Sequence, residues 1–228
     1  MQANENKNLV IEVDGVKYER YPIKTHVITD ADDICDVCEK YAKDNMIEGD
    51  ILFISEKCVA CTQKRAIPMD EINPRPLAKL LCKFVYKSPY GIGLSIPQTM
   101  EMALRECGVL KILFAAFCSA CGKLVGKRGI FYDIAGHKAK SIDGPCDCTI
   151  PPYNHCVVLG PTNPDAVAVQ IKERIGFDTI IVDINDLDGE ILGISDESIS
   201  RELYAKVLKD NPLGQSRQQT PMGIIRKI

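Results

Sequence analysis

The chain has 228 residues, enough for one large domain or two small lobes, and 46% hydrophobic with 26% charged residues describes a globular protein with a real core. A formal charge of −3 and a pI near 5.7 exclude a global attraction to nucleic acid or anionic membranes, and the lack of tryptophan weakens a base-stacking role. The opening MQANENKNLV has no apolar signal core, and the longest apolar run, 112–118, is too short to span a bilayer. A cytoplasmic location is therefore expected, with neither a membrane nor a nucleic-acid partner.

Residues 8–23 alternate apolar and polar side chains on both sides of Asp14-Gly15, which predicts a hairpin with a tight turn. Ile34, Val37, Cys38, Tyr41 and Ala42 fall on one helical face, with Thr29 or Asp30 as expected cap and acidic residues in the first turn. Residues 51–54 read as a buried strand. NPRPLAKLLCKFVYK predicts a helix that begins after prolines, and SPYGIGLSIPQTMEMALREC a glycine-rich turn leading into a helix over 96–107. VLKILFAAF is expected as an apolar strand, followed by a short helix over 121–125 and a strand over 129–132. Residues 133–154 look like a loop too long for a plain connector. HCVVLGP predicts a strand, and NPDAVAVQIKERIG a helix with proline near its start and Gly176 as its stop. DTIIVDIND predicts a strand ending in acid, EILGIS an extended segment, DESISRELYAKVLKDNP a helix, and MGIIRKI a closing strand. The fold class is mixed α/β in a single domain over 1–228, possibly two-lobed.

Eleven cysteines in a reducing compartment imply thiols or metal ligands before disulfides. Cys35/Cys38 and Cys58/Cys61 have the spacing C-x2-C-x19-C-x2-C, within the range of zinc sites. Cys118/Cys121 and Cys146/Cys148 add to them. None has a glycine-rich knuckle, and Cys38 lies on an apolar helix face. Packing as small apolar residues is the favoured reading, ahead of a zinc or iron–sulfur metalloprotein and of a redox pair.

Four polar places could carry chemistry. Thr62, Lys64 and Arg65 follow the first buried strand and would suit a phosphate or carboxylate. Ser95 can cap the helix after YGIGLSIPQT, where free backbone N–H groups attract anions, although no Walker motif is present. Asp143 and Asp147 in the long loop, with Asp183, Asp186 and Asp188 after an apolar strand, could hold Mg²⁺ or Mn²⁺ beside a nucleotide. Gln215, Ser216, Arg217, Gln218, Gln219 and Thr220 make a dense polar patch that is expected to be held at both ends. His26, His137 and His155 are scattered and carry little weight.

The order of these motifs is similar to a known family. ADDICDVCEKYAKDNMIEGDILFISEKCVACTQKR resembles the opening of the coenzyme F420-0:gamma-glutamyl ligase family, where an acidic helix start leads to a GDI strand and a loop ending in arginine. GPCDCTIPPYNHCVVLGPTNPDAVAVQIKERIGFDTIIVDIND resembles the family's aspartate loop, its strand and helix, and its apolar strand ending in aspartate. The resemblance implies a two-lobed α/β ligase fold with mixed sheets, a homodimer, and a small-molecule substrate joined to L-glutamate with GTP and Mn²⁺ or Mg²⁺. It implies Asp147 and Asp183 as metal ligands, and places Glu56 and Arg65 at the polar end of the nucleotide-side strand. Two departures stand out. VACTQKR has Ala60 and Cys61 at the positions of the serine and lysine in the family's V-S-K-A-E-G-R loop, and DINDLDGEI lacks the arginines and tryptophan of its DTFGRPWR run. The alternatives to a ligase are the cysteine-based metalloprotein and a non-catalytic small-molecule binding protein on the same fold.

Overall fold

The computed structural model describes residues 2–85, 92–124, 126–127, 129–186, 189–214 and 217–228. In chain order these form β1 (Val10–Val13), β2 (Val16–Ile23), α1 (Ile34–Tyr41), β3 (Ile51–Ser55), α2 (Glu56–Thr62), β4 (Ala66–Pro68), α3 (Pro76–Leu81), α4 (Pro97–Cys107), α5 (Val109–Leu124), α6 (Ile130–Ala135) and α7 (His137–Lys140). They continue with β5 (Cys156–Val158), α8 (Pro164–Ile175), β6 (Asp178–Ile184), β7 (Gly189–Ile194), α9 (Arg201–Val207) and β8 (Met222–Lys227), with single 3-10 turns between some of them. The chain is thus mixed α/β, and it divides into two compact units, Met1–Lys64 with Pro161–Ile228, and Arg65–Gly160.

The first unit is built on a six-stranded mixed sheet in the order β1-β2-β8-β3-β6-β7, in which only β3 and β6 run parallel. The β1–β2 hairpin turns at Asp14 and Gly15, with φ of +51° and +79°, the two positive values that a two-residue turn requires. β3 is buried on both sides because its side chains alternate between two cores. Leu52 and Ile54 join Ile181, Met222 and Ile224 against Ile34, Val37 and Cys38 of α1 and Val167, Ala168 and Ile171 of α8. Ile51 and Phe53 join Ile180, Val182 and Ile225 against Val207 of α9, Leu208 and Leu213. Gly223 of β8 is required by this packing, since a Cβ there would lie 2.6 Å from the Phe53 ring.

Helix ends follow local chemistry. The Asp33 carboxylate accepts from the backbone N–H groups of Cys35 and Asp36 and caps α1, so the cap is neither Thr29 nor Asp30. Thr29 instead donates its N–H and hydroxyl to Asp32, closing the preceding turn. α8 has Pro164 in its first turn and ends at Gly176 with φ +85°. Thr25 and Gln219 exchange hydrogen bonds, and the Asn4 amide donates to the Leu213 carbonyl and the Thr220 hydroxyl. The polar tail segment is therefore tied down on both sides.

The second unit packs α3, α4, α5, α6 and α7 around the short β4–β5 pair, with Leu94, Met100, Leu104, Ile112, Ala139 and Val157 in its core. Three sequence expectations change here. Residues 109–117 are the first half of the helix α5, not a strand, and Cys118 and Cys121 lie further along it. An uninterrupted apolar run has no period that separates strand from helix, and length decides: α5 has 16 residues. Residues 130–132 open α6 instead of forming a strand. The long loop contains α7 and a backbone bridge between Asp143 and Val158, with both hydrogen bonds at 2.9 Å. Among the described residues no helix is long and apolar enough to cross a membrane.

A buried carboxylate braces this unit. Glu101 of α4 accepts from the Arg75 guanidinium and backbone N–H and from Arg105 one turn away, at 2.8–3.1 Å. Burial alone would push its pKa up, but the hydrogen bonds from Arg75 and Arg105 outweigh it and hold the carboxyl below its ordinary value. Its contribution to stability is then complete above the ordinary carboxylate range and is lost as pH falls through the lowered folded value. Glu101→Gln should cost about 2 kcal/mol at pH 7. It should also flatten the loss of stability below about pH 4, read as urea midpoints of both proteins at neutral and acid pH.

Candidate functional site

The parallel pair β3–β6 sets the site. In an α/β sheet, ligands bind beyond the carboxyl ends of parallel strands, where loops and helix N-termini converge. The last pair of the ladder is Ser55 with Val182. The next residue of each strand is acidic: Glu56 opens α2, and Asp183 stands opposite Glu190 of the edge strand β7. Glu56 is buried and forms an ion pair with Lys57 at 2.8 Å, and a carboxylate in the first turn of a helix is favoured by the helix dipole. β8 begins at the same level, since Met222 pairs with Ile54 and the Ser55 N–H donates to the Pro221 carbonyl. The exposed Arg217 and the tail segment that ends at Pro221 therefore lead into this end of the sheet. Strand alternation puts Asp183 on the face of Ile181, and Asp183 is the penultimate residue of β6, one short of the strand's end.

Glu56 and Asp183 thus follow the last pair of the parallel ladder at one end of the sheet, and Arg217 lies in the segment that runs to this end at Pro221. Ser216 and Asp188 lie outside the described residues. Thr62 and Lys64 are at the far end of α2, which is a helix where the sequence reads as a loop. The Thr62 hydroxyl donates back to the Val59 carbonyl at 2.9 Å, and Lys64 is exposed with φ +59°. The neighbouring Gln63 amide instead engages Thr162, accepting from its N–H at 2.7 Å and donating to its carbonyl at 3.1 Å.

Arg65, Ser95 and Asp147 belong to the second unit. The Arg65 guanidinium binds Glu106 at 2.6 Å and the Gly160 carbonyl at 2.5 Å, so it braces this unit internally. Ser95 does not cap α4. Its hydroxyl donates to the Ile92 carbonyl at 2.7 Å, and Ile96 occupies the cap position. Asp147 sits on an exposed turn between Cys146 and Cys148, which form a disulfide.

The His26 and cysteine candidates lie elsewhere in the fold. His26 bridges the Tyr41 hydroxyl and Asp32, each at 2.9 Å. Hydrogen bonds from Thr29 and His26 keep the Asp32 carboxyl below its usual value. Cys35/Cys38 lie on α1, Cys58/Cys61 on α2 and Cys118/Cys121 on α5. Cys38 and Cys58 are in the core, where burial drives both thiols well above their ordinary pKa. Among the described residues no three His, Cys, Asp or Glu side chains are grouped to hold a metal ion. Asp183 with Glu190 offers the oxygen donors that a hard divalent cation takes, and like charges at facing strand positions are relieved by such a cation.

A mixed sheet whose one parallel pair ends in two carboxylates, beside a tethered polar segment, defines an α/β protein with a candidate ligand site at the strand ends. The chain belongs to the F420-0:gamma-glutamyl ligase family, which matches residues 22–201, well over half of it. It is also similar to the coenzyme F420:L-glutamate ligase of Methanopyrus kandleri, at 24% identity over 246 aligned positions that cover 93% of this chain and 87% of that protein.

Proposed function

We propose that the protein is a nucleotide- and divalent-metal-dependent ligase that joins an amine to an activated carboxylate at the carboxyl ends of β3 and β6. The observation that carries this reading is the register of the parallel pair, which places Glu56 and Asp183 one residue beyond Ser55 and Val182. Family membership supports it, and the match runs through both units.

Asp183, with Glu190 opposite, would hold Mn²⁺ or Mg²⁺. Such an ion neutralises phosphate charge when bound beside a nucleoside triphosphate. Arg217 supplies a cation for the phosphates of GTP, and Glu56 fixes the α2 end of the site through Lys57. Asp147, the other carboxylate that the family resemblance singles out, lies in the unit Arg65–Gly160. The relative's name couples F420 to L-glutamate, and L-glutamate is the amine component expected here. The two units serve as two lobes of one ligase-like domain, and the molecule is a two-fold homodimer, the commonest oligomer. Light scattering should then return twice the chain mass of 25.2 kDa.

GTP with Mn²⁺ should raise the melting temperature, because any ligand that binds only the folded state stabilises it by mass action. Saturation at about a hundred times Kd corresponds to about 2.7 kcal/mol. A melting curve unchanged by GTP, by ATP and by Mn²⁺ together would count against the reading. A shift without turnover would identify a binding protein on the same fold.

A further inference from the structure

Helix α5 is amphipathic in the unusual sense. It turns Ile112, Ala115 and Gly122 inward. At Gly122 the neighbouring α6 comes so close that a Cβ would lie 2.2 Å from Ile130 Cδ1. Its large apolar side chains point outward: Leu110 is 84% exposed, Phe114 59% and Phe117 67%, with Leu113 beside them. These positions recur at i, i+3, i+4 and i+7, and they continue to the exposed Cys121, so they form one stripe along the helix. Scattered exposed leucines need no explanation, but a contiguous stripe of leucine and phenylalanine does. The exposed Leu80 and Phe84 lie in the same unit, and Lys123 of α5 donates to the Phe84 carbonyl at 3.4 Å.

Charge selects the occupant. The unit Arg65–Gly160 holds 12 Lys and Arg against seven Asp and Glu, a formal +5, while the rest of the chain carries −8, which together give the chain's −3. Along α5 and the turn after it Lys111, Lys123 and Lys127 are all exposed, and residues 107–132 contain no acid. A two-fold contact with a second copy through this face would set basic rim against basic rim. An anionic bilayer satisfies both features at once, because acyl chains accept the apolar stripe and headgroups accept the lysines. The whole-chain charge hides this, since the acidic unit masks the basic one.

We propose that the exposed face of α5 docks on an anionic lipid surface, with Leu110, Phe114 and Phe117 set among the acyl chains. At 16 residues the helix is about 24 Å long and lies in the plane of the interface instead of spanning it. This attachment stands independently of the ligase reading.

Vesicle co-sedimentation tests it. The full chain should pellet with phosphatidylglycerol vesicles, stay in solution with phosphatidylcholine vesicles, and be released from the former at roughly 0.5 M salt. The double variant Phe114→Asp/Phe117→Asp should bind at least about tenfold more weakly. It should keep the wild-type circular dichroism, because both side chains already face solvent. Lys111→Glu/Lys127→Glu should weaken binding to phosphatidylglycerol in the same direction. Since the chain has no tryptophan, Phe117→Trp supplies a single probe whose emission should shift to the blue with phosphatidylglycerol. Failure to pellet with phosphatidylglycerol overturns the proposal, as does equal pelleting of the double aspartate variant. So does a halving of particle mass caused by Phe114→Asp/Phe117→Asp in the absence of lipid, which would assign the face to a second copy.

Discussion

Asp183→Asn should weaken Mn²⁺ binding by about a hundredfold in the presence of GTP while leaving the fold intact. The substitution keeps size and shape and removes one negative charge. In the wild type, Asp183 and Glu190 occupy facing positions on β6 and β7, where two like charges oppose each other. A divalent cation held there would relieve that repulsion, and nucleotide phosphates would add oxygen donors, so the metal should bind weakly alone and more tightly with nucleotide. Calorimetric titration of Mn²⁺ into both proteins, with and without GTP, separates the four cases. Equal affinity in wild type and variant would move the metal away from β6.

Arg20→Met should destabilise the protein by about 3–5 kcal/mol, a large share of the 5–15 kcal/mol that holds a typical domain together. Arg20 of β2 is fully buried. Its guanidinium pairs with Asp210 and donates to the Val207 carbonyl at 3.0 Å and to the Asn8 carbonyl at 2.7 Å. It therefore pins the end of α9 and the segment before β1 to the sheet. Methionine fills the space but leaves those acceptors without their donor. Only Arg20 is fully buried, the Asp210 carboxylate being partly exposed, and Arg20→Met/Asp210→Leu, which also removes the carboxylate left without its partner, should recover part of the loss. Urea midpoints of the three proteins check both expectations, and a single-variant cost below about 1 kcal/mol would contradict the role given to Arg20.

Arg20 also marks the limit of what the sequence reveals. Its partner lies 190 positions away, and nothing local distinguishes it from a surface arginine in an alternating strand. Where local chemistry decides structure, the reading is direct. The 51–54 run is a strand with both faces buried, Asp14-Gly15 is a hairpin turn, and Pro164 and Gly176 bracket α8. Where local signals conflict, it fails. α5 hides its period because its outward face is as apolar as its inward one. α2 reads as a loop because it is short and begins directly where β3 ends. Ser95 precedes a helix but turns back on Ile92.

The site is legible in the same partial way. Asp183 and Glu56 are each visible as acid at the edge of an apolar run. That both follow the same end of the parallel ladder is known only from the pairing of Ser55 with Val182, residues 127 positions apart in the chain. Arg65 shows the converse. It looks like a phosphate-binding cation in sequence, yet Glu106 and Gly160 engage it within its own unit.

The most direct test of the ligase account is turnover. The protein is incubated with GTP, Mn²⁺, L-glutamate and F420-0, and GDP and glutamylated product are followed together by chromatography and mass spectrometry. The account predicts that GDP and the glutamyl amide form in equal amounts, that omission of Mn²⁺ or L-glutamate abolishes both, and that Asp183→Asn abolishes both at a Mn²⁺ concentration that just saturates the wild type. GTP left intact, with no glutamylated product under any of these conditions, would contradict it.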